Sequence, residues 1–210
     1  MGKERLEMFS DGVFAIAITI LVLEIKIPKH DDLIQWGGLF GYLTHIWPTY
    51  VAYIVSFLMI GIYWSNHHHL FLFMIKKTNH FFNLINVGLL MAIALMPFTT
   101  AIFSDYFLLH EYSGQAVTVY IVGLIPPQIA CFFLFLYGKI KKGIFDPDLS
   151  PTFINKQLIK LIIATIFTTS SLILSYFHPM SALAITGLSF LMYFMPPDMP
   201  EYIGEEKKHE

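Results

Sequence analysis

Six apolar stretches, at about 8–27, 48–75, 82–104, 115–139, 157–177 and 179–196, leave this chain few ways to fold. An α-helix needs roughly 20 apolar residues to cross a bilayer, and each stretch comes close to that length or exceeds it. Inside hydrocarbon every backbone polar group has to be satisfied by protein, so such runs are helical. The chain's bulk properties agree: 56% of its 210 residues are hydrophobic and only 13% charged, with a mean hydropathy of +0.62. That is more apolar surface than a soluble core of this size can hide. The expectation is an all-α polytopic membrane protein with six transmembrane helices, a single domain over 1–204 and a short charged tail over 205–210.

Charge is confined mostly to the connections. A net charge of −2, from 13 basic and 15 acidic residues, implies no nucleic-acid partner. Cys131 lies within an apolar run and reads as a small buried side chain, and one cysteine permits no intrachain disulfide. No small-residue cleavage pattern follows Ile25, and Asp11 and Glu24 fit a signal core badly, so the first helix is expected to be retained. Leu6 stands where a myristoylation signal needs Ser or Thr. Between Pro28 and Trp47 the Gly37-Gly38 pair predicts a surface segment with one short interfacial helix, with Trp36 and Trp47 at the headgroup boundary. Pro97 and the Pro126-Pro127 pair fall inside helices and are expected to kink them.

Six crossings put Lys3, Arg5, Lys76, Lys77, Lys139, Lys141, Lys142, Lys156, Lys160, Lys207 and Lys208 on one side, with Lys26 and Lys29 alone on the other. Cytoplasmic loops retain Lys and Arg, which places both termini in the cytoplasm of a multi-pass cell-membrane protein.

At about 100° per residue, the first helix sets Ile16, Thr19, Ile20, Leu23 and Ile27 along one stripe, with Ser10 and Asp11 on the opposite side. A carboxylate at this depth turns toward protein or water. Two readings of Ser10 and Asp11 stand at this point: a helix-start cap, or a buried pair with partners on other helices. The stripe likewise suits lipid, a neighbouring helix or an aqueous path. Farther along, WSNHHHLF (64–71) holds three consecutive histidines. Adjacent residues point about 100° apart, whereas a helical zinc pair uses positions i and i+4, so no metal site is expected there.

Arg5, Phe9, Ser10 and Asp11, spaced as RxxxFSD and followed by GVFAIAITILVLEI, resemble the signature of the transmembrane protein 175 family of lysosomal and prokaryotic potassium channels. The resemblance covers essentially the whole chain, and its single copy of the signature is similar to the prokaryotic members, which are homotetramers of six-helix subunits. It implies four first helices around a central axis, with Ile16, Ile20 and Leu23 as aliphatic rings and Thr19 as a polar layer. Potassium would be the permeant ion, without any cofactor. It also implies that Trp64 and His68, which share a helix face, pack against the FSD residues, with Asn83 or Asn86 completing a structural set and Arg5 as a further donor.

The chain has no TVGYG stretch and no acidic residue on the stripe. Aliphatic rings then favour whichever ion distorts its hydration shell more cheaply, so potassium is expected to win over sodium only modestly. A single arginine excludes an Arg-rich voltage sensor. Glu24, at the outer end of the stripe, either concentrates cations or pairs with Lys26 or Lys29. One alternative is a proton-coupled secondary transporter relaying through Asp11, His68 and Glu24. Another, an intramembrane hydrolase, would need the histidine run to meet Asp105 from the opposite side.

Overall fold

Proline, glycine and short polar side chains set most of the element boundaries. In the computed structural model, which describes residues 2–193 and 198–203, α1 (Lys3–Ile20) tightens into a 3₁₀ turn over Leu21–Glu24. Two short helices follow, α2 (His30–Gln35) and α3 (Leu39–His45). Gly37 and Gly38 break the chain between them at φ 70° and 107°, a region that side chains with a Cβ rarely enter. The connection expected to hold one interfacial helix therefore holds two. α4 (Trp47–His69) takes Pro48 into its first turn, where its missing N–H is harmless, and ends in a π turn over Leu70–Met74.

α5 (His80–Tyr106) starts where Asn79 Oδ1 accepts the Phe82 N–H at 2.8 Å, an ordinary N-cap. α6 (Ser113–Ile140) and α5 both run as helix through their internal prolines. α7 (Pro151–Ser175) is capped by Ser150, whose Oγ accepts from the Thr152 and Phe153 amides at 3.2 and 3.4 Å. Only Tyr176–His178 separates it from α8 (Pro179–Tyr193).

Among the described residues, five helical segments are long and apolar enough to cross a membrane: α1 and α4 with their terminal turns, α5, α6 and α7. α8 spans 15 residues. The remainder of the expected sixth crossing, to residue 196, and the tail at 205–210 lie outside the described residues.

The helices pack as two groups, α1/α4/α5 and α6/α7/α8, joined along α5 and α6. Lipid tails are as apolar as leucine, so close packing and buried hydrogen bonds have to hold such helices together. Both devices are present at the α5–α6 seam. Gly123 lets the helices approach until a Cβ placed there would lie 2.2 Å from Thr99 Oγ1. Nearby, Thr100 Oγ1 donates to the Met96 carbonyl at 2.8 Å, so it accepts from Ser56 at 2.8 Å, and Ser56 accepts from the Tyr120 hydroxyl at 3.0 Å. One directed chain of buried hydroxyls thus ties α4, α5 and α6.

Contacts sort the chain ends. One end gathers Glu7 with His68, Lys76 with Asp146, and a C-terminal strap, residues 198–203, on the α6–α7 loop. The other gathers Lys26 with Asp105, Trp47 against Phe107, and Gly114 beside Pro179. The first turn of α1 and the strap therefore share one end of the bundle. The strap is held by backbone bonds, Ser150 N–H to the Glu201 carbonyl and Ile203 N–H to the Asp148 carbonyl, both 2.8 Å. Asp198 fastens it to α7, with Lys160 Nζ at 2.7 Å and Gln157 Nε2 at 3.2 Å. The Lys160 ammonium pulls the Asp198 carboxyl below its ordinary range.

Gly123→Ala forces the α5–α6 seam apart and lowers stability by about 1–3 kcal/mol, an overpacking cost, read as a lower Tm in detergent. Asp198→Asn loosens the strap, so hydrogen exchange at the Ser150 and Ile203 amides speeds up while exchange in α5 stays unchanged. Because folding depresses the Asp198 pKa, its contribution is complete above the ordinary carboxylate range and is lost as pH falls through the lowered value. Acidification of wild type toward that value is expected to accelerate the same two amides.

Candidate functional site

α1 carries two chemically different faces. Leu6, Ser10, Phe14, Ala17 and Leu21 are buried against α4 and α5. On the other side Ile16, Ile20 and Leu23 are 60, 41 and 71% exposed, with Gly12, Ala15 and Thr19 exposed between them. The Thr19 hydroxyl donates within its own helix, to the carbonyls of Ala15 (3.0 Å) or Ile16 (2.9 Å). What it presents outward is therefore oxygen lone pairs. Ile27 does not continue the stripe: the helix ends at Glu24 and Ile25 is extended at ψ 90°, so the helical register no longer applies there. Phe9 is exposed too; seven residues before Ile16, it lies within about 20° of the stripe, not beside Ser10 and Asp11.

The buried face is fixed by one directed hydrogen-bond chain. Ser10 Oγ donates to the Leu6 carbonyl at 2.8 Å and accepts from Asn86 Nδ2 at 2.9 Å. The other end of that carboxamide, Oδ1, lies 2.8 Å from His67 Nε2. With the amide committed as donor to Ser10, its oxygen accepts, so His67 is the Nε2–H tautomer. Its ring stacks on Phe71 at 4.3 Å and tilts against Phe14 at 5.5 Å. All three polar residues are buried.

A second, outer seam joins α1 to α4. Trp64 Nε1 donates to Asp11 Oδ1 at 2.8 Å, and His68 Nδ1 lies 3.2 Å from Glu7 Oε1. The Trp64 and His68 rings stack at 5.7 Å. α1 and α4 run antiparallel, so one turn earlier on α1 meets one turn later on α4. This places His68 on Glu7 instead of on Asp11.

Two other expectations change. Of the two candidate asparagines it is Asn86, one turn beyond Asn83 on α5 and level with Ser10, that completes the set, whereas Asn83 stays out of it, with its Oδ1 buried without a partner among the described residues. Arg5 is exposed and makes no bond to Asp11; the two lie about 120° apart around the helix. Glu7 and His67 escaped the sequence reading. Glu7 precedes Asp11 by four, the spacing that marks a shared face, and His67 follows buried Tyr63 by four.

The three histidines meet three surroundings. His67 faces Asn86, His68 faces Glu7, and His69 tilts on Phe73 at 4.9 Å. Among the described residues no group of three or more His, Cys, Asp or Glu is arranged to hold a metal. Asp105 pairs with Lys26 at the opposite end of the bundle, away from the histidine run. Glu24 stands thirteen residues beyond Asp11, roughly 20 Å along the helix, so Asp11, His68 and Glu24 form no contiguous relay.

Removing the Asn86 side chain orphans the buried His67 Nε2–H and takes from Ser10 the bond it accepts, leaving it only its own bond to the Leu6 carbonyl; a buried donor left unsatisfied costs about 1–3 kcal/mol. Asn86→Ala is therefore expected to lower the Tm in detergent sharply. Asn83→Ala, which breaks no hydrogen bond, is expected to change it far less, and equal losses would refute the assignment.

Comparison with known proteins matches this arrangement to one family. Residues 5–97 match the family of the endosomal/lysosomal potassium channel TMEM175. A protein from Streptomyces collinus named as a potassium channel is 35% identical over 189 residues, 90% of either chain. Another, from Chamaesiphon minutus, is 46% identical over 116 residues, 55% of this chain and 56% of that one. The crystal structure of a lysosomal potassium-selective channel TMEM175 homolog from Chamaesiphon minutus matches with a TM-score of 0.80 at 31% identity, covering 90% of this chain and 95% of that one. With its apolar helices and its RxxxFSD start, the chain belongs to the TMEM175 family of membrane-embedded ion channels and is not an enzyme.

Proposed function

We propose that the protein is a cation channel with a modest preference for potassium over sodium, formed by four copies of the chain around a central axis lined by α1. One observation carries this reading: Ile16, Ile20 and Leu23 stay exposed on a helix whose opposite face is fully engaged with its own subunit. The family membership and the names of the relatives support potassium as the permeant ion.

In such a pore the rings of Ile16, Ile20 and Leu23 offer an ion no ligands. Passage then requires a gap wide enough to keep part of the hydration shell, because narrower apolar constrictions close by dewetting. The ion that loses or distorts its water more cheaply is favoured, which selects potassium weakly. The outward lone pairs of Thr19 give four oxygen acceptors next to the Ile16 ring, a layer suited to a partly dehydrated cation and useless to an anion. The Ser10–Asn86–His67 chain and the Glu7–His68 and Asp11–Trp64 pairs hold α1 in place and never touch the ion. Both ends of the chain lie in the cytoplasm, on the side that carries most of the lysines.

Purified protein in planar bilayers is expected to give unitary current steps that reverse nearer the potassium than the sodium equilibrium potential. Ile16→Asn replaces an apolar ring by four carboxamides and is expected to change conductance, ion preference or both; wild-type values in that variant would overturn the pore assignment. Asp11→Ala breaks the bond to Trp64 and is expected to lower the yield of tetramer in detergent without altering the selectivity of channels that assemble.

A further inference from the structure

At the end of the bundle that holds the first turn of α1, four lysine side chains have partners among the described residues and three do not. Lys76 is bound by Asp146 at 2.8 Å, Lys139 donates to Asn155 Oδ1 at 2.7 Å, and Lys156 and Lys160 flank Asp198 at 3.9 and 2.7 Å. Lys77, Lys141 and Lys142 are exposed, and their ammonium groups take no hydrogen bond or ion pair among the described residues. They come from two different loops, yet the backbone joins them. The Lys76 and Lys77 amides reach the Ile144 carbonyl at 2.7 and 3.4 Å, and the Ile144 amide reaches the Lys141 carbonyl at 3.3 Å. Gly143, at φ 84°, makes the turn that brings the two loops together.

Their depth is marked by apolar neighbours. Ile140, just before Lys141, is 70% exposed, and Leu72, in the turn ending α4, is 51% exposed. Side chains of this kind at the ends of membrane helices belong at the edge of the hydrocarbon, which sets the adjacent ammoniums at the level of lipid phosphates. Of the acids close by, Asp146 is engaged: Lys76 holds it and pulls its carboxyl below the ordinary range, and the Asp148 backbone amide donates to the same carboxylate at 3.1 Å.

We propose that Lys77, Lys141 and Lys142 form a binding site for the phosphate of an anionic phospholipid headgroup. Three compact ammoniums with no partner among the described residues act as point-charge donors to phosphate oxygens. Each lysine at a membrane surface strengthens attraction to anionic lipid by about fivefold. The inference needs the chain to cross a bilayer; it does not depend on whether the chain conducts potassium.

The test is binding of short-chain lipid to the purified full-length protein in dodecyl maltoside, followed by native mass spectrometry. Dihexanoyl phosphatidylglycerol is expected to form a saturable adduct, while dihexanoyl phosphatidylcholine is not. Combined Lys77→Gln, Lys141→Gln and Lys142→Gln substitution is expected to weaken the adduct at least about tenfold, and Lys29→Gln, at the opposite end, to leave it unchanged. The corresponding triple arginine variant keeps the charge and is expected to retain the adduct, which separates loss of charge from misfolding. Equal binding of phosphatidylcholine, an undiminished adduct in the glutamine variant, or a loss as large in Lys29→Gln would overturn the proposal. Displacement of the lipid by millimolar inorganic phosphate would show a free-anion site and overturn it as well.

Discussion

The placement of α1 depends on a single carboxamide. Asn86 has one donor end and one acceptor end, and α1 and α4 present the matching groups, the Ser10 hydroxyl and the His67 ring N–H. No aliphatic residue serves there, since both groups are buried and an unsatisfied polar atom in a low-dielectric interior is costly. Asp or Ser would satisfy only part of the pattern. Apolar burial drives little association between helices already in lipid. The polar chain on the inner side of α1 therefore fixes which way the helix is turned, and with it which residues are left facing outward.

That orientation lets one helix do two things. The inner face carries Leu6, Ser10, Phe14, Ala17 and Leu21 into the subunit, while the outer face carries Phe9, Gly12, Ile16, Thr19, Ile20 and Leu23. The Glu7–His68 and Asp11–Trp64 pairs stand at the border between the two and resist rotation of α1 about its axis, because turning it would break both together. Among the described residues the α6/α7/α8 group takes no comparable polar contact from α1; it braces α5 through the Gly123 approach and the Tyr120–Ser56–Thr100 chain. In a family of channels this separates the helix proposed to meet the ion from the helices that give the subunit its rigidity.

Much of this was legible beforehand because the relevant rules are local. Hydropathy located the long helices, and the 100° rotation per residue separated Ile16, Ile20 and Leu23 from Ser10 and Asp11. Trp64 opposite Asp11 came from the family pattern. Where the reading departed, a nonlocal or terminal feature was responsible. Asn83 and Asn86 are one turn apart on the same helix, and only the vertical stagger of α5 against α1 chooses between them. His68 meets Glu7 because α1 and α4 are antiparallel at a particular offset. Ile27 left the stripe because α1 tightens at Leu21 and ends, and helix ends are the least determined part of any periodic pattern. Arg5 and Phe9 were grouped with Ser10 and Asp11 by motif, although rotation about the helix puts them elsewhere.

The makeup of the Ser10–Asn86–His67 chain also decides what it is unable to carry. A hydroxyl or an imidazole can accept a proton on one side and release one on the other, but a carboxamide neither takes up nor gives away a proton near neutrality. Asn86 therefore stands as an insulating link between the only ionisable ring in the chain and the serine beyond it. Hydrogen bonds run through it without a break, yet charge has no route along them, so α1 is anchored to α4 by a polar network that hands no proton from one helix to the other.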